Sequence, residues 1–242
     1  MIILFNGEGP TDIGCKKYGG DEFSLEPGPM AIVIDKIVNN ILGFSPLKRE
    51  GCCKYIDTKS LRNETPRPKS LRSIPGKKSK NIYFVANARS FASIAKKIEA
   101  KASCPVIAIF FRDHDKTRST KKNVWKDKFD SILLGFEIEN FSRGIPMLPN
   151  PKSEAWLLCC INTDTYDCSN LEIKTGSKHS LTPIKTKLKQ QIGDANVEHL
   201  NSLIEQCFSN SANINKLKTM PSFLNFYDRL ERTLRDVKSI LN

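Results

Sequence analysis

Two aspartates that follow an apolar segment are the residues of this chain best placed to do chemistry. Asp113 and Asp115 come directly after residues 105–111, an apolar run that predicts a fully buried strand. Side chains two positions apart along a strand project to the same side, where they can hold a divalent cation such as Mg²⁺. Glu8 follows another apolar segment, residues 2–5, in the same way. Ligands of parallel α/β sheets bind where the carboxyl ends of the strands open, so we expect these three acids to converge.

An alternation of strands and helices must position these acids. Strands are predicted at residues 2–5, 52–56, 105–111 and 145–148, and helices at residues 29–43, 82–101 and 122–136, at a segment opening at Ser153, and at residues 183–192, 196–208 and 222–241. This order predicts an α/β fold with a parallel sheet flanked by helices. We expect residues 1–161 to form the core, with a glycine-rich loop at 14–28 and a basic loop near 57–80. Residues 162–242, loop-like up to 180, would form a mainly helical C-terminal extension packed on that core.

The charge balance favours a polyanionic partner. The chain has 38 Lys and Arg against 26 Asp and Glu, a net charge of +12, and nucleic acid is the commonest polyanion in a cytoplasm. Residues 57–80 could follow a phosphate backbone or be a solvated linker. A second basic stretch begins beside the aspartates, and five of its residues are expected to grip phosphates: Arg112, Lys116, Arg118, Lys121 and Lys122. The alternative is a basic surface that only aids solubility.

Hydropathy and cysteine usage predict a cytoplasmic protein. No apolar run approaches the ~20 residues needed to span a bilayer, and the N-terminal apolar stretch ends too soon for a signal peptide. None of the eight cysteines forms C-x-x-C or is paired with histidine at zinc-ligand spacing. Cys104, Cys159 and Cys160 lie in apolar stretches and are expected to be small core residues in a reducing compartment.

The last predicted helix carries apolar residues at alternating spacings of four and three. These are Phe223, Tyr227, Leu230, Leu234, Val237 and Leu241. Such a seam can form a homodimer through the C-terminal helix, although a seam of this kind more often packs on its own domain.

Several motifs of this chain resemble those of one family. Residues 8–12 (E-G-P-T-D) and 113–115 (D-H-D) look like the acidic motifs of the TOPRIM domain, which topoisomerases, bacterial primases and the OLD (overcoming lysogenization defect) nucleases share. Residues 154–158 (E-A-W-L-L), preceded by a proline-rich stretch, are similar to a segment of small bacterial TOPRIM-like proteins related to the OLD nucleases. Residues 221–223 (P-S-F) resemble another segment of those proteins.

The resemblance implies a TOPRIM-like sheet and assigns roles to five acids. Glu8 would be a metal ligand and possible general base, Asp113 and Asp115 would be metal ligands, and Glu154 would be a catalytic acidic residue that holds a second metal. Asp12 would join the metal ligands if a helical turn begins after Glu8. The late lysine of OLD-type sites would be Lys152 or Lys187. His114 should point away from its flanking aspartates and serve packing.

The activity so implied is hydrolysis of DNA or RNA phosphodiesters with Mg²⁺ or Mn²⁺. Acids that hold metal beside bases that hold phosphate are the minimum equipment for such a reaction. Relatives of this architecture often work beside an ABC- or SMC-like ATPase, some of them in defence against phage. The chain itself contains no G-x-x-x-x-G-K-[ST] phosphate loop, so the ATPase would be another chain.

Two alternatives remain open. Residues 113–117 (D-H-D-K-T) also spell the nucleophile motif of haloacid-dehalogenase-like phosphatases, but that motif usually opens a chain, and this interpretation leaves Glu8 unexplained. A non-catalytic module for nucleic-acid binding or partner docking is the other, with Trp156 and the C-terminal seam as docking residues. In that case the acids would merely cap helices or fix turns.

Overall fold

The structure is a computed structural model that describes residues 1–19, 24–64, 81–115, 124–162, 167–173, 183–193, 196–208 and 212–241. Within these residues the strands are β1 (Ile2–Asn6), β2 (Gly14–Lys16), β3 (Leu25–Pro27), β4 (Cys53–Ile56), β5 (Val106–Phe111) and β6 (Gly144–Met147). The helices are α1 (Pro29–Leu42), α2 (Thr58–Glu64), α3 (Ile82–Ala102), α4 (Val124–Ile138), α5 (Ser153–Ile161), α6 (Ser169–Ile173), α7 (Ile184–Ile192), α8 (Val197–Cys207), α9 (Ala212–Leu217) and α10 (Pro221–Leu241). A short 3-10 helix spans Pro46–Lys48.

Four strands form the parallel sheet, in the order β4-β1-β5-β6. The two central strands are buried on both faces, as their continuous apolar sequences predict. Alternate side chains enter different cores: Ile3 and Phe5 pack with α1, α5 and α10, whereas Ile2 and Leu4 pack with α3 and α4. The prediction of an α/β fold with helices on both faces of a parallel sheet is therefore confirmed.

Helix α1 begins and ends where the sequence predicts. Pro29 occupies its first turn, where a missing N–H costs nothing, and Gly43 ends it in the left-handed conformation with φ 77°. The helix starts directly beneath the loop that follows β1, because the N–H of Met30 donates to the carbonyl of Asp12 at 2.9 Å. A Cβ on Gly28 would lie 2.5 Å from the carbonyls of both Pro10 and Asp12, so only glycine fits this approach.

Three predicted loops contain regular structure. Residues 14–28 include an antiparallel pairing of β2 with β3, whose three-residue strands are too short to show periodicity. The basic loop near 57–80 begins with helix α2, and the polar stretch 162–180 contains α6. Residues 65–80 and the rest of that polar stretch, apart from 162 and 167–173, lie outside the described residues.

The apolar seam of α10 is covered by the chain itself. Leu230, Leu234 and Val237 are fully buried in the core that α10 shares with α1 and β6. Of the two expectations for this seam, packing on its own chain is the one found. A homodimer through the C-terminal helix would therefore have to use residues of α10 other than these three.

One cysteine prediction needs correction. Cys159 is bonded to Cys168 in a disulfide rather than being a free thiol in the core. The two residues meet because Cys168 lies just before α6, which returns along α5. Their spacing is not that of any metal or redox motif, so the sequence offered no sign of this pairing. Among the described residues, no helix has both the length and the apolar character needed to cross a membrane.

Candidate active site

The acidic residues meet where β1 and β5 end and α5 begins. Backbone hydrogen bonds continue past β5, since the N–H groups of Arg112, His114 and Asp115 donate to the carbonyls of Met147, Pro149 and Pro151 at 3.0, 3.1 and 3.0 Å. This ladder holds the segment after β6 beside the aspartates. The first turn of α5 therefore faces Asp113.

Ser153 joins two of the predicted ligands. Its backbone N–H donates to Asp113 Oδ1 at 2.8 Å, and its Oγ donates to Asp12 Oδ1 at 2.7 Å. One oxygen of each aspartate is thus fixed by the start of α5, an arrangement that the positive end of the helix dipole favours. Asp12, which the sequence adds to the ligands only if a helical turn begins after Glu8, belongs to the cluster, since it lies in the turn that packs on α1.

Glu8 extends toward the same place from β1. The backbone N–H of Asp113 donates to its carboxylate, and Arg112 Nε lies 3.8 Å from its Oε1. Partial burial raises the pKa of Glu8, although Arg112 opposes that rise, and Asp115 and Asp12 add to it. The carboxylate is 44% exposed, so it remains open to solvent and to a ligand.

Arg112 does not have the position expected of a phosphate contact. Its side chain is buried, its Nη1 donates to the carbonyl of Phe111 at 2.5 Å, and its guanidinium lies 4.3 Å above the ring of Phe110. Strand alternation explains this position: Arg112 and His114 point inward, opposite to Asp113 and Asp115. Arg112 therefore orients the carboxylate of Glu8 from the interior of the protein. His114 is buried, as its place in the alternation predicts.

Asp115 is bound to a lysine. Lys152 Nζ lies 2.8 Å from Asp115 Oδ1. Burial acts to lower the pKa of Lys152, but the hydrogen bond to Asp115 and the nearby charges of Asp113 and Glu154 outweigh it and raise this pKa. The other candidate lysine, Lys187, lines a separate cavity of about 280 Å³ beside Cys168. Of the two, Lys152 is the lysine placed at the acidic site.

The carboxylates crowd one another. Burial raises the pKa of Asp113 to about 8, and the charges of Asp12, Glu154 and Glu8 add to the rise. The pKa of Asp12 is also raised, first by burial and then by Glu154, against the bond from Ser153. Glu154 Oε2 is buried without a hydrogen-bond partner. A buried carboxylate oxygen of this kind is costly to leave unpaired, and a cation can satisfy it.

The carboxylates of this cluster are not arranged as the ligands of one cation. Among the described residues, no three His, Cys, Asp or Glu side chains are placed so that they could together hold one metal ion. Ser153 draws Asp12 and Asp113 toward α5, Arg112 draws Glu8 toward the core, and Lys152 draws Asp115 outward. The donors suit a hard divalent cation, but binding one requires changes of side-chain rotamer.

Asp57, at the carboxyl end of β4, shows what a purely structural acid looks like in this fold. Its Oδ1 accepts the backbone N–H of Ser60 at 2.7 Å and its Oδ2 accepts the hydroxyl of Ser60 at 2.7 Å, which caps α2. Although burial acts the other way, these bonds lower the pKa of Asp57. The pKa of Asp113 moves in the opposite direction, because burial and the neighbouring acids outweigh the one backbone N–H that Ser153 donates to it.

A buried polar network supports the segment that leads into α5. Ser222 Oγ accepts the indole N–H of Trp156 at 3.0 Å and the backbone N–H of Asn150 at 3.2 Å, and it donates to Glu172 Oε1 at 2.5 Å. Glu172 also accepts the backbone N–H of Ser222 at 2.8 Å, which caps the start of α10. Trp156 packs edge-on against Phe223 with ring centroids 5.0 Å apart. The E-A-W-L-L and P-S-F segments are therefore packing partners.

Sequence reasoning missed three polar residues at this site. Ser153 bridges two acids, Lys185 is close enough to Asp12 to oppose the rise in its pKa, and Lys128 Nζ donates to the carbonyl of His114 at 2.7 Å. A serine that opens a helix predicts a cap, but not which carboxylates it contacts. The four predicted phosphate-binding residues other than Arg112 lie outside the described residues: Lys116, Arg118, Lys121 and Lys122.

Comparisons with known proteins bring no relative to this arrangement. Scans of the chain against protein-family models, curated proteins and solved structures each returned no match.

Proposed function

We propose that the chain is a metal-dependent nuclease of the TOPRIM type that hydrolyses phosphodiester bonds of DNA or RNA. The observation that carries the proposal is the convergence of Glu8, Asp12, Asp113, Asp115 and Glu154 at the carboxyl ends of β1 and β5 and the first turn of α5. Acids brought together from three distant segments of chain, with one buried oxygen unpaired, favour a cation site over a set of unrelated caps.

The acids would hold Mg²⁺ or Mn²⁺, which supplies an activated water and stabilises charge on the leaving oxygen. Glu8, being exposed and next to the guanidinium of Arg112, would be the general base of the hydrolysis. Lys152, once released from Asp115, would place its ammonium beside the developing phosphate charge. Ser153 would hold one oxygen of Asp12 and one oxygen of Asp113 in a fixed orientation.

The nucleic-acid substrate is proposed from charge. The net charge of +12 favours a polyanion, and the basic stretch from Lys116 to Lys122 follows Asp115 directly in the sequence. Partnership with an ABC- or SMC-like ATPase in anti-phage defence belongs to the proposal through the family resemblance alone. Residence in the cytoplasm belongs to it through the hydropathy of the sequence.

A pair of measurements tests the proposal. The purified chain is titrated with Mn²⁺ by calorimetry and is incubated with plasmid DNA and with total RNA in the presence of Mg²⁺ or Mn²⁺. We expect Mn²⁺ binding and divalent-dependent cleavage in the unchanged chain, and neither in the Asp113→Ala and Asp115→Ala variants. Asp57→Ala is the matched control, because it removes an acid from the end of β4 that serves only as a helix cap. Undiminished cleavage by Asp113→Ala rejects the assignment.

Other outcomes identify the alternatives. Turnover of p-nitrophenyl phosphate without polynucleotide cleavage would indicate a haloacid-dehalogenase-like phosphatase, with Asp113 as nucleophile. Salt-sensitive nucleic-acid binding that ignores both Mg²⁺ and the Asp113 substitution would indicate a non-catalytic module. Either result contradicts the nuclease proposal.

A further inference from the structure

Two thiols meet at the opposite end of α5 from the acidic site. Cys160, near the end of α5, is buried, and its thiol donates a hydrogen bond to the sulfur of Cys207, the last residue of α8. Cys207 is only partly buried, so this residue keeps some contact with solvent. Both cysteines are free thiols, in contrast to the neighbouring Cys159.

A lysine from a third helix stabilises this pair. Lys216 of α9 is largely buried and close enough to both sulfurs to favour their ionised forms. Its Nζ donates to the carbonyl of Asn162, the residue that follows α5. The side-chain amide of Asn213 donates to the carbonyl of Cys207 at 2.5 Å, which ties the end of α8 to α9. The backbone around both sulfurs is therefore fixed by contacts that do not involve the sulfurs.

The two thiols differ in acidity. The hydrogen bond from Cys160 and the charge of Lys216 outweigh burial and lower the pKa of Cys207 to about 7. Burial raises the pKa of Cys160, and its bond to Cys207 adds to the rise. A partly exposed thiolate next to a buried partner thiol is the usual arrangement of a peroxide-sensitive cysteine and its resolving cysteine.

We propose that Cys160 and Cys207 form a redox site, in which hydrogen peroxide oxidises Cys207 and Cys160 resolves it to a disulfide between α5 and α8. The Cys207 thiolate attacks one peroxide oxygen, and the O–O bond breaks. The products are a sulfenic acid on Cys207 and a hydroxide ion, and the hydroxide takes up a proton and leaves as water. The sulfur of Cys160 then displaces the sulfenic hydroxyl as a second water, and the S–S bond forms. Two thiols are oxidised and one peroxide is reduced to two waters.

The disulfide would join α8 to the helix whose first turn carries Ser153 and Glu154. The inference does not depend on nuclease activity, since it concerns sulfur chemistry at the other end of α5.

Peptide mapping of the whole protein tests the site directly. Trypsin cleavage leaves Cys207 in the peptide 190–216 and leaves Cys159, Cys160 and Cys168 in the peptide 153–174. After treatment with hydrogen peroxide and alkylation of remaining thiols, we expect a non-reducing digest to contain these two peptides joined by a disulfide. Recovery of peptide 190–216 with only sulfinic acid, or with the unmodified thiol, would overturn the proposal.

Two variants establish which sulfur is involved. Cys160→Ala should abolish the link between the peptides, whereas Cys52→Ala, which removes a cysteine elsewhere in the chain, should leave it intact. Persistence of the link in Cys160→Ala would assign Cys207 to another partner and contradict the proposal.

In the same variant, alkylation of Cys207 by iodoacetamide at neutral pH should slow roughly threefold, because the hydrogen bond that stabilises its thiolate is lost. An unchanged rate would contradict the proposed role of Cys160.

Discussion

Replacing Asp113 with asparagine should stabilise the protein in alkaline solution. The substitution keeps the size of the side chain and removes a negative charge from among Asp12, Glu154 and Glu8. Buried like charges oppose folding when nothing compensates them, so the neutral side chain should be tolerated better than the ionised one. Asp113, which is central to the proposed activity, would then lower the free energy of unfolding of the protein.

The sign follows from the two pKa values of Asp113. In the unfolded chain this carboxyl loses its proton near its ordinary pKa of 3.8, whereas in the folded protein it keeps the proton up to a pKa of about 8. Between these values the folded state binds more protons, so stability falls as pH rises through this window and is lowest above it. The side-chain amide of the Asp113→Asn variant has no such proton to lose, so that variant should not show this loss.

The structure sets the size of the effect. Moving the pKa from 3.8 to about 8 sets a ceiling of about 6 kcal/mol in the free energy of unfolding, since one pKa unit is worth about 1.4 kcal/mol. Asp113 keeps some contact with solvent, and the N–H of Ser153 favours its charged form, so we expect about 2 kcal/mol.

The assay is urea unfolding, followed by circular dichroism, in a buffer with chelator. The unchanged protein should lose about 2 kcal/mol more stability than Asp113→Asn between about pH 5 and about pH 9. Asp57→Asn is the matched control. The pKa of Asp57 is lowered on folding, so its contribution is present above its unfolded pKa and is lost as pH falls, and its asparagine variant should be slightly destabilised at high pH. Parallel pH dependence of the unchanged protein and Asp113→Asn would refute the reasoning.

Three further substitutions test the supports of the site. Ser222→Ala removes the hydroxyl that accepts hydrogen bonds from Trp156 and Asn150, so the free energy of unfolding in urea should fall by about 2 kcal/mol. The same variant should show a larger change in kcat than in KM. A change in KM alone would contradict this role. Gly28→Ala places a Cβ 2.5 Å from two carbonyls and should lower stability by about 2 kcal/mol, whereas an unchanged thermal midpoint would show that the approach is not tight. Lys152→Met frees the carboxylate of Asp115 from a partly exposed ion pair, so the free energy of unfolding should change by less than about 1 kcal/mol. Mn²⁺ binding measured by calorimetry should become tighter, because the lysine no longer competes for Asp115. Weaker Mn²⁺ binding would contradict this competition.

The main elements and the acidic site could be predicted because their sequence patterns reflect local rules. Continuous apolar runs identify β1 and β5, and Pro29 with Gly43 marks α1, since each residue type suits one backbone position. Carboxylates directly after buried strands must emerge at one edge of a parallel sheet. Glu8 and Asp113 therefore lie together despite their distance in sequence.

Other features depend on contacts that no local pattern specifies. The β2–β3 hairpin and α2 are too short for periodicity to show, and the disulfide of Cys159 depends on how the chain turns back after α5. The burial of Arg112 follows from strand alternation, but its charge suggested a surface role. Ser153 was missed because its two carboxylate partners come from separate loops.

The most direct test of the central claim is a crystal structure of the protein soaked in Mn²⁺, with anomalous scattering used to locate the ion. The account predicts an anomalous peak at the carboxyl ends of β1 and β5, with oxygen atoms of Glu8 and Asp113 among its ligands and Glu154 Oε2 no longer without a partner. Absence of a peak there, with Asp113 still bound only to Ser153 and Lys152 still bound to Asp115, would contradict it.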